Sequence, residues 1–133
     1  MKKKGTVIIP HNHPNPPEPH EIEAAQIIAD NYSCVIEFII PIDDYKRKTP
    51  DVWMNSVRCE MKSPVGNSKK NTVRKQFERA SAQHAKHLIF DGRRSKLTDD
   101  YIQKEIHREL AHRRRVKKVF FITKDNFVVE FEK

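Results

Sequence analysis

The sequence has only two cysteines in 133 residues, Cys34 and Cys59, and each stands alone in a strand-like segment. Without metal-ligand spacing they exclude a cysteine-based zinc site and read as reduced packing residues of a cytoplasmic chain. No apolar run approaches the length of a membrane span, which excludes a spanning helix. The opening residues do not read as a secretory leader: Met1-Lys2-Lys3-Lys4 resembles a charged n-region, but only Val7-Ile8-Ile9 follows before Pro10. Acidic side chains are in the minority, 18 against 26 lysines and arginines, for a net charge of +8. That balance implies a polyanionic partner, nucleic acid or an acidic membrane surface. The length suits one domain with one core. We place it at residues 20–133, after a basic, Pro- and His-rich arm at 1–19. From Pro10 to His20, His11, His13 and His20 lie among Pro14, Pro16, Pro17 and Pro19, a stiff surface segment rather than a metal site.

The most informative stretch runs from Pro50 to Pro64. Val52–Met54 and Val57–Met61 read as strands, and Asn55-Ser56 between them reads as a two-residue turn, since Asn tolerates the positive φ that tight hairpins need. That turn sets Met54 opposite Val57, Trp53 opposite Arg58, Val52 opposite Cys59 and Asp51 opposite Glu60. Alternation then gives one apolar face, Val52, Met54, Val57, Cys59 and Met61, which should be buried. The other face carries Asp51, Trp53, Arg58, Glu60 and Lys62. Two carboxylates directly opposite on a ladder repel by roughly 0.2–1 kcal/mol. A cation should therefore sit with them, either Lys62 or a divalent metal, for which two carboxylates and a backbone carbonyl are suitable hard ligands. Asp51, then Glu60-Met61-Lys62, has the form of the PD-(D/E)XK nuclease signature. In that chemistry the carboxylates hold a metal that activates water, and the lysine positions or deprotonates that water.

The rest of the chain supplies a scaffold. His20–Tyr32 reads as a helix with Pro19 at its first position and a stripe of Ile22, Ala25, Ile28 and Ala29. Glu21 lies along that stripe and Glu23 does not. Cys34–Ile40 is an apolar strand, and a polar loop with Lys46, Arg47 and Lys48 leads to the hairpin. After the loop at 63–70, a helix capped by Ser68 or Asn71 extends to about Lys86, burying Val73, Phe77, Ala80 and His84. Its other face shows Lys69, Arg74, Lys75 and Arg79, a candidate phosphate-backbone contact, with Gln83 alongside. His87–Asp91 is a short buried strand, followed by a basic loop with Arg93 and Arg94. Thr98 caps a third helix with a stripe of Ile102, Ile106 and Leu110, and two strands, Val119–Thr123 and Phe127–Phe131, close the chain as a hairpin. The order predicts an α/β (mixed α+β) fold: the αβββαβ core of the PD-(D/E)XK nucleases, a mixed central sheet flanked by helices, with an added C-terminal helix and hairpin. In that fold the first helix often supplies an acidic ligand.

Several phrases together resemble the tRNA nuclease domain at the C-terminus of contact-dependent growth inhibition toxins, the CdiA C-terminal type. They are His20-Glu21, Thr49-Pro50-Asp51, Glu60-Met61-Lys62-Ser63-Pro64 with Gly66 and Ser68, Gln83, and the run from Ile89 to Arg94. The resemblance covers the chain from about residue 18 onward. It departs from the family pattern at the Asn55-Ser56 turn, where an Asp-Gly type is expected, and at Arg58-Cys59, where an aromatic residue is usual. It implies cleavage of tRNA or other structured RNA by a toxin-like domain that has an immunity protein as partner and no membrane association. It also implies Mg²⁺ held by Asp51, Glu60 and Glu21, with Lys62 completing the catalytic set. Lys69, Arg74, Lys75, Arg79, Gln83, Arg93 and Arg94 form the expected nucleic-acid contact. Two alternatives stand beside this reading. One is a metal-independent ribonuclease of the barnase, EndoU or colicin type using Thr72, His84, Lys62 and Arg93. The other is a nucleic-acid-binding module without catalysis.

Overall fold

The computed structural model describes residues 4–40, 50–66, 69 and 71–133. The expected loop with Lys46, Arg47 and Lys48, and Ser68 as a cap, lie outside these residues. The elements are β1 (Thr6–Ile8), α1 (Pro19–Tyr32), β2 (Val35–Phe38), β3 (Asp51–Met54), β4 (Val57–Lys62), α2 (Thr72–Ala82), β5 (His87–Asp91), α3 (Asp99–His112), β6 (Lys118–Ile122) and β7 (Val128–Glu132). From α1 to β5 this is the expected αβββαβ order, and α3, β6 and β7 are the expected addition. The strands form one seven-stranded mixed sheet whose spatial order is their order in the chain. β1–β2, β4–β5 and β5–β6 are parallel, and the remaining neighbours are antiparallel.

Alternation along the strands sorts the core into two layers. On one face, α1 lays Ala24, Ala25, Ile28 and Ala29 against Ile36, Phe38, Val52, Cys59, Met61, Ile89, Phe120 and Ile122. On the other, α2 and α3 cover Leu88, Phe90, Val119 and Phe121 with Val73, Phe77, Ala80, Ile102, Ile106 and Leu110. Local signals set the ends of the helices. Thr98 caps α3 by accepting from Tyr101 N–H, as the sequence predicts. Glu18 and Glu21 form a reciprocal capping box at the start of α1, where Pro19 takes the first turn.

Within the N-terminal arm Thr6–Ile8 is extended: it pairs in parallel with Val35–Glu37 and is tied to α1, with Gly5 N–H donating to Asp30 Oδ1 at 2.9 Å. A side chain on Gly5 would collide with the Ala29 carbonyl, so the approach of this segment to α1 requires glycine. The second helix stops at Ala82, not Lys86. His84 takes a left-handed φ of 60° and is exposed, so it is not a core residue. Val57, expected on the buried face of the hairpin, is exposed because it flanks the turn, where the covering layer has ended.

Candidate active site

The β3–β4 hairpin has the register expected from its turn. Asp51 pairs with Glu60, Val52 with Cys59, Trp53 with Arg58 and Met54 with Val57. Asn55 and Ser56 take φ of 47° and 73°, the two positive values of a type I′ turn. Asp51, Glu60 and Lys62 therefore project from one face, the face that carries Leu88 and Phe90 on the neighbouring strand. α2 lies over that face, so the three polar groups are buried, at 3%, 4% and 4% exposure. Buried charge must be compensated, and here it is. Lys62 Nζ lies 3.1 Å from Glu60 Oε1. Arg58 Nε donates to Asp51 Oδ2 at 3.1 Å, and its Nη2 donates to the same oxygen. Hydrogen-bond logic orients the Gln83 amide with its NH₂ toward Glu60, 2.6 Å from Oε1 and 3.0 Å from Oε2.

The two carboxylates also hydrogen-bond to each other. Burial, that hydrogen bond and the Asp51 charge push the Glu60 carboxyl up to about 7, against the pull of Lys62. A cavity of about 500 Å³ opens onto the pair and is lined by Val57, Arg58 and the turn from Gln83 to His87. At its edge, burial and then the positive charge of Lys118 lower the His87 imidazole below its ordinary range.

Residues 48–128, well over half of the chain, match the family model of the contact-dependent growth inhibition CdiA C-terminal domain. The chain belongs to this family. The matched span begins just before β3 and ends in β7, so it contains Asp51, Glu60, Lys62 and Gln83 and leaves out α1 with Glu21. The fold of this CdiA C-terminal domain is similar to that of a solved structure described as a CdiA-CT/CdiI toxin and immunity complex from Burkholderia pseudomallei. The TM-score is 0.70 over 97% of this chain and 100% of that one, at 15% identity. A likeness at that identity concerns the fold alone. Comparison with curated proteins gives no match.

The remaining site residues expected in this CdiA C-terminal domain are spread along the sheet. Glu21 is buried as expected, but its Oε1 accepts from Glu18 N–H at 2.8 Å in the capping box, on a helix that covers the opposite face. Among the described residues, no group of three or more His, Cys, Asp and Glu is placed to hold a metal ion. Arg74, Lys75 and Arg79 lie exposed along α2, Arg74 being 3.6 Å from Glu78, and Lys69 is exposed beside Tyr101. Gln83, expected to contact nucleic acid, lies exposed at the cavity with its amide on Glu60.

Arg93 turns inward. It donates to both oxygens of the fully buried Asp91, to Glu23 and to the His20 carbonyl. Arg94 stays exposed, with Nη1 2.6 Å from His20 Nε2. Both arginines follow the last residue of β5, whereas His87 at the cavity is its first, a separation of about 13 Å along the strand. Sequence reasoning missed Arg58, Lys86 and His87 at the cavity. Arg58 had a usable signal: it is two residues from Glu60 on the same face, hence a diagonal neighbour of Asp51. Lys86 and His87 had none, because α2 ends earlier than its polar pattern suggests.

Proposed function

We propose that this domain is a toxin nuclease that cleaves phosphodiester bonds in structured RNA, tRNA foremost, using a divalent cation such as Mg²⁺. The observation that carries the reading is the buried cross-strand pair Asp51–Glu60 with Lys62 3.1 Å from Glu60. Two carboxylates close enough to share a hydrogen bond are a hard-oxygen pair of the kind Mg²⁺ accepts. When bound, the cation would supply activation of water and neutralisation of phosphate charge. The chain's own residues do the rest. Asp51 and Glu60 would hold the cation, for which Glu60 would be in its ionised form. Gln83 and Lys62 fix the Glu60 carboxylate in place, and Lys62 brings a positive charge to where an oxyanion would develop. Arg58, half exposed at the cavity rim, binds Asp51 and can also meet a phosphate. Lys69, Arg74, Lys75, Arg79 and Arg94 are proposed phosphate-backbone contacts, whereas the ion pairs of Arg93 favour a structural role. For the partner we propose an immunity protein, supported by the toxin–immunity complex of similar fold.

The deciding test is incubation with total tRNA and with plasmid DNA, each in Mg²⁺ and in EDTA. RNA should be cut only with the metal. Lys62→Met, which removes the buried partner of Glu60 and should lower the melting temperature, should abolish cutting at a temperature where the variant remains folded. Failure to cut either nucleic acid with any divalent metal would reduce the domain to a binding module. Glu21→Gln should raise the Mg²⁺ requirement if α1 supplies a third ligand, and should lower only thermal stability if capping is its whole role. Glu23→Gln should not alter the Mg²⁺ requirement.

One observation supports a metal-independent reading: a carboxyl poised near neutrality and His84 and His87 share the same cavity. Of the residues first considered for it, Lys62 and His84 flank this site. Thr72 lies at the far end of α2, about 16 Å away along the helix, and Arg93 lies past the end of β5. Cleavage persisting in EDTA would select this reading.

A further inference from the structure

We infer that Trp53 is a stacking platform for an unstacked nucleobase, whose donor edge is read by Glu37, next to the nucleotide whose phosphate enters the Asp51–Glu60 cavity. The inference rests on the nuclease reading above and specifies its substrate as RNA with unpaired nucleotides at the cleavage position.

Trp53 is the sole tryptophan of the chain and lies 38% exposed on a strand surrounded by core. It belongs to the same face as Asp51, Arg58, Glu60 and Lys62. α2 and α3 cover the β4–β7 part of that face, packing on Leu88, Phe90, Val119 and Phe121, and among the described residues their apolar cluster includes none from β2 or β3. A groove of about 550 Å³ is lined there by Val35, Glu37, Trp53, Asn55 and Ser56. It adjoins the active-site cavity, whose lining continues from Val57 and Arg58. The register aligns Glu37, Trp53 and Arg58 in one row across three strands. Asp51 and Glu60 form the next row on that face, about 7 Å along.

Each member of the row offers a different contact. The indole presents a flat apolar face, and base–aromatic stacking is indifferent to sequence because every base has a π-face. Arg58 supplies the positive charge on the cavity side. Glu37, exposed on the other side of the indole, repels phosphate and so turns a base rather than the backbone into the groove. Its carboxylate accepts hydrogen bonds and suits a base with N–H donors on its pairing edge. Guanine offers two adjacent donors there, which match a carboxylate two-for-two. A base in a duplex has neither a free face nor a free edge, so this groove selects loops and other single-stranded positions.

The lone indole makes the test direct. Using the cleavage-deficient Lys62→Met protein, tryptophan emission is followed during titration with a single-stranded RNA carrying one guanine in a uridine background, an all-uridine strand and an RNA duplex. Quenching should be strong with the guanine strand, weaker with uridine and absent with the duplex. Glu37→Gln should equalise the two single strands. In steady-state cleavage by the otherwise unaltered protein, Trp53→Ala should raise KM about 5- to 100-fold with little change in kcat, and Trp53→Phe should restore most of it. A parent protein that cuts RNA while its emission is unchanged at saturation, or while Trp53→Ala keeps the parent KM, overturns the stacking platform and leaves the nuclease reading standing. Strand-selective quenching with no cleavage by the parent supports the platform and overturns the nuclease. Equal quenching of the parent by both single strands removes the role of Glu37. The phenylalanine variant and a melting curve separate loss of stacking from loss of folding.

Discussion

Glu60 sits among groups that raise its proton affinity, and its pH dependence follows from them. Its carboxyl lies at about 7 in the folded chain, against an ordinary 4.5. The stability contributed by its protonated form is fully present below about 4.5 and is lost as pH rises through about 7, because the unfolded chain gives up that proton earlier. The melting temperature of the metal-free protein should therefore fall over that window, and Glu60→Gln should lessen the fall. Equal slopes for the two proteins would mean that Glu60 is already ionised throughout. Arg93 and Arg94 are adjacent in sequence and opposite in role. Asp91 has no exposure and is held by Arg93 through its N–H, Nε and Nη2. Removing one partner of a buried pair costs about 3–5 kcal/mol. Arg93→Ala should thus be strongly destabilised in urea, and Arg94→Ala should unfold like the parent. The Arg-Arg dipeptide alone did not say which arginine faces inward, because Asp91 can reach either neighbour. Only the approach of α1, bringing Glu23 and the His20 carbonyl, decides it.

At the scale of elements, what was readable in the sequence was local chemistry. Asn55-Ser56 gave the turn and therefore the whole hairpin register. Thr98 gave the start of α3, and the Ile102–Ile106–Leu110 stripe gave its buried face. Tertiary features were not readable. The charged face of the hairpin is dry because α2 folds over it, and no residue between Asp51 and Lys62 announces that cover. Thr6–Ile9 reads as extended, but three strand residues are too few for alternation to tell which strand they join. The end of α2 is hidden because His84, not glycine, takes the left-handed position after Gln83. The hairpin turn itself is improvable. Ser56 carries a φ of 73°, which costs an L-residue more than it costs glycine. Ser56→Gly should raise stability by a few tenths to about 1 kcal/mol, read from the shift in denaturation midpoint, with the register intact. A loss of stability would show that the serine side chain is needed there.

On the scale of the molecule, the positive charge is unevenly useful. The cavity opens at the end of the sheet where β5 and β6 begin. There the Lys117 N–H donates to the Lys86 carbonyl at 2.7 Å and Arg115 Nη1 donates to the Ser81 carbonyl at 2.9 Å. Lys86, Arg114, Arg115 and Lys117 are exposed at that end, while Arg94 lies at the other. If nucleic acid enters by the cavity, Arg114→Ala with Arg115→Ala should reduce the slope of log affinity against log salt by about 1.4–1.8, and Arg94→Ala should change it less. The reverse ranking would place the nucleic acid across the end of the sheet near α1. The sheet has a mechanical consequence as well. Because its spatial order repeats the chain order, no strand is inserted between two that precede it. Tension on the N-terminus can peel β1 from β2, then β2 from β3, without dragging any strand out from between two others. Refolding can follow the reverse course, each strand settling on an edge already laid down. The sheet can thus be drawn out strand by strand and rebuilt without entanglement, while the packing of α1 on Phe120 and Ile122 is the long-range closure that refolding must complete.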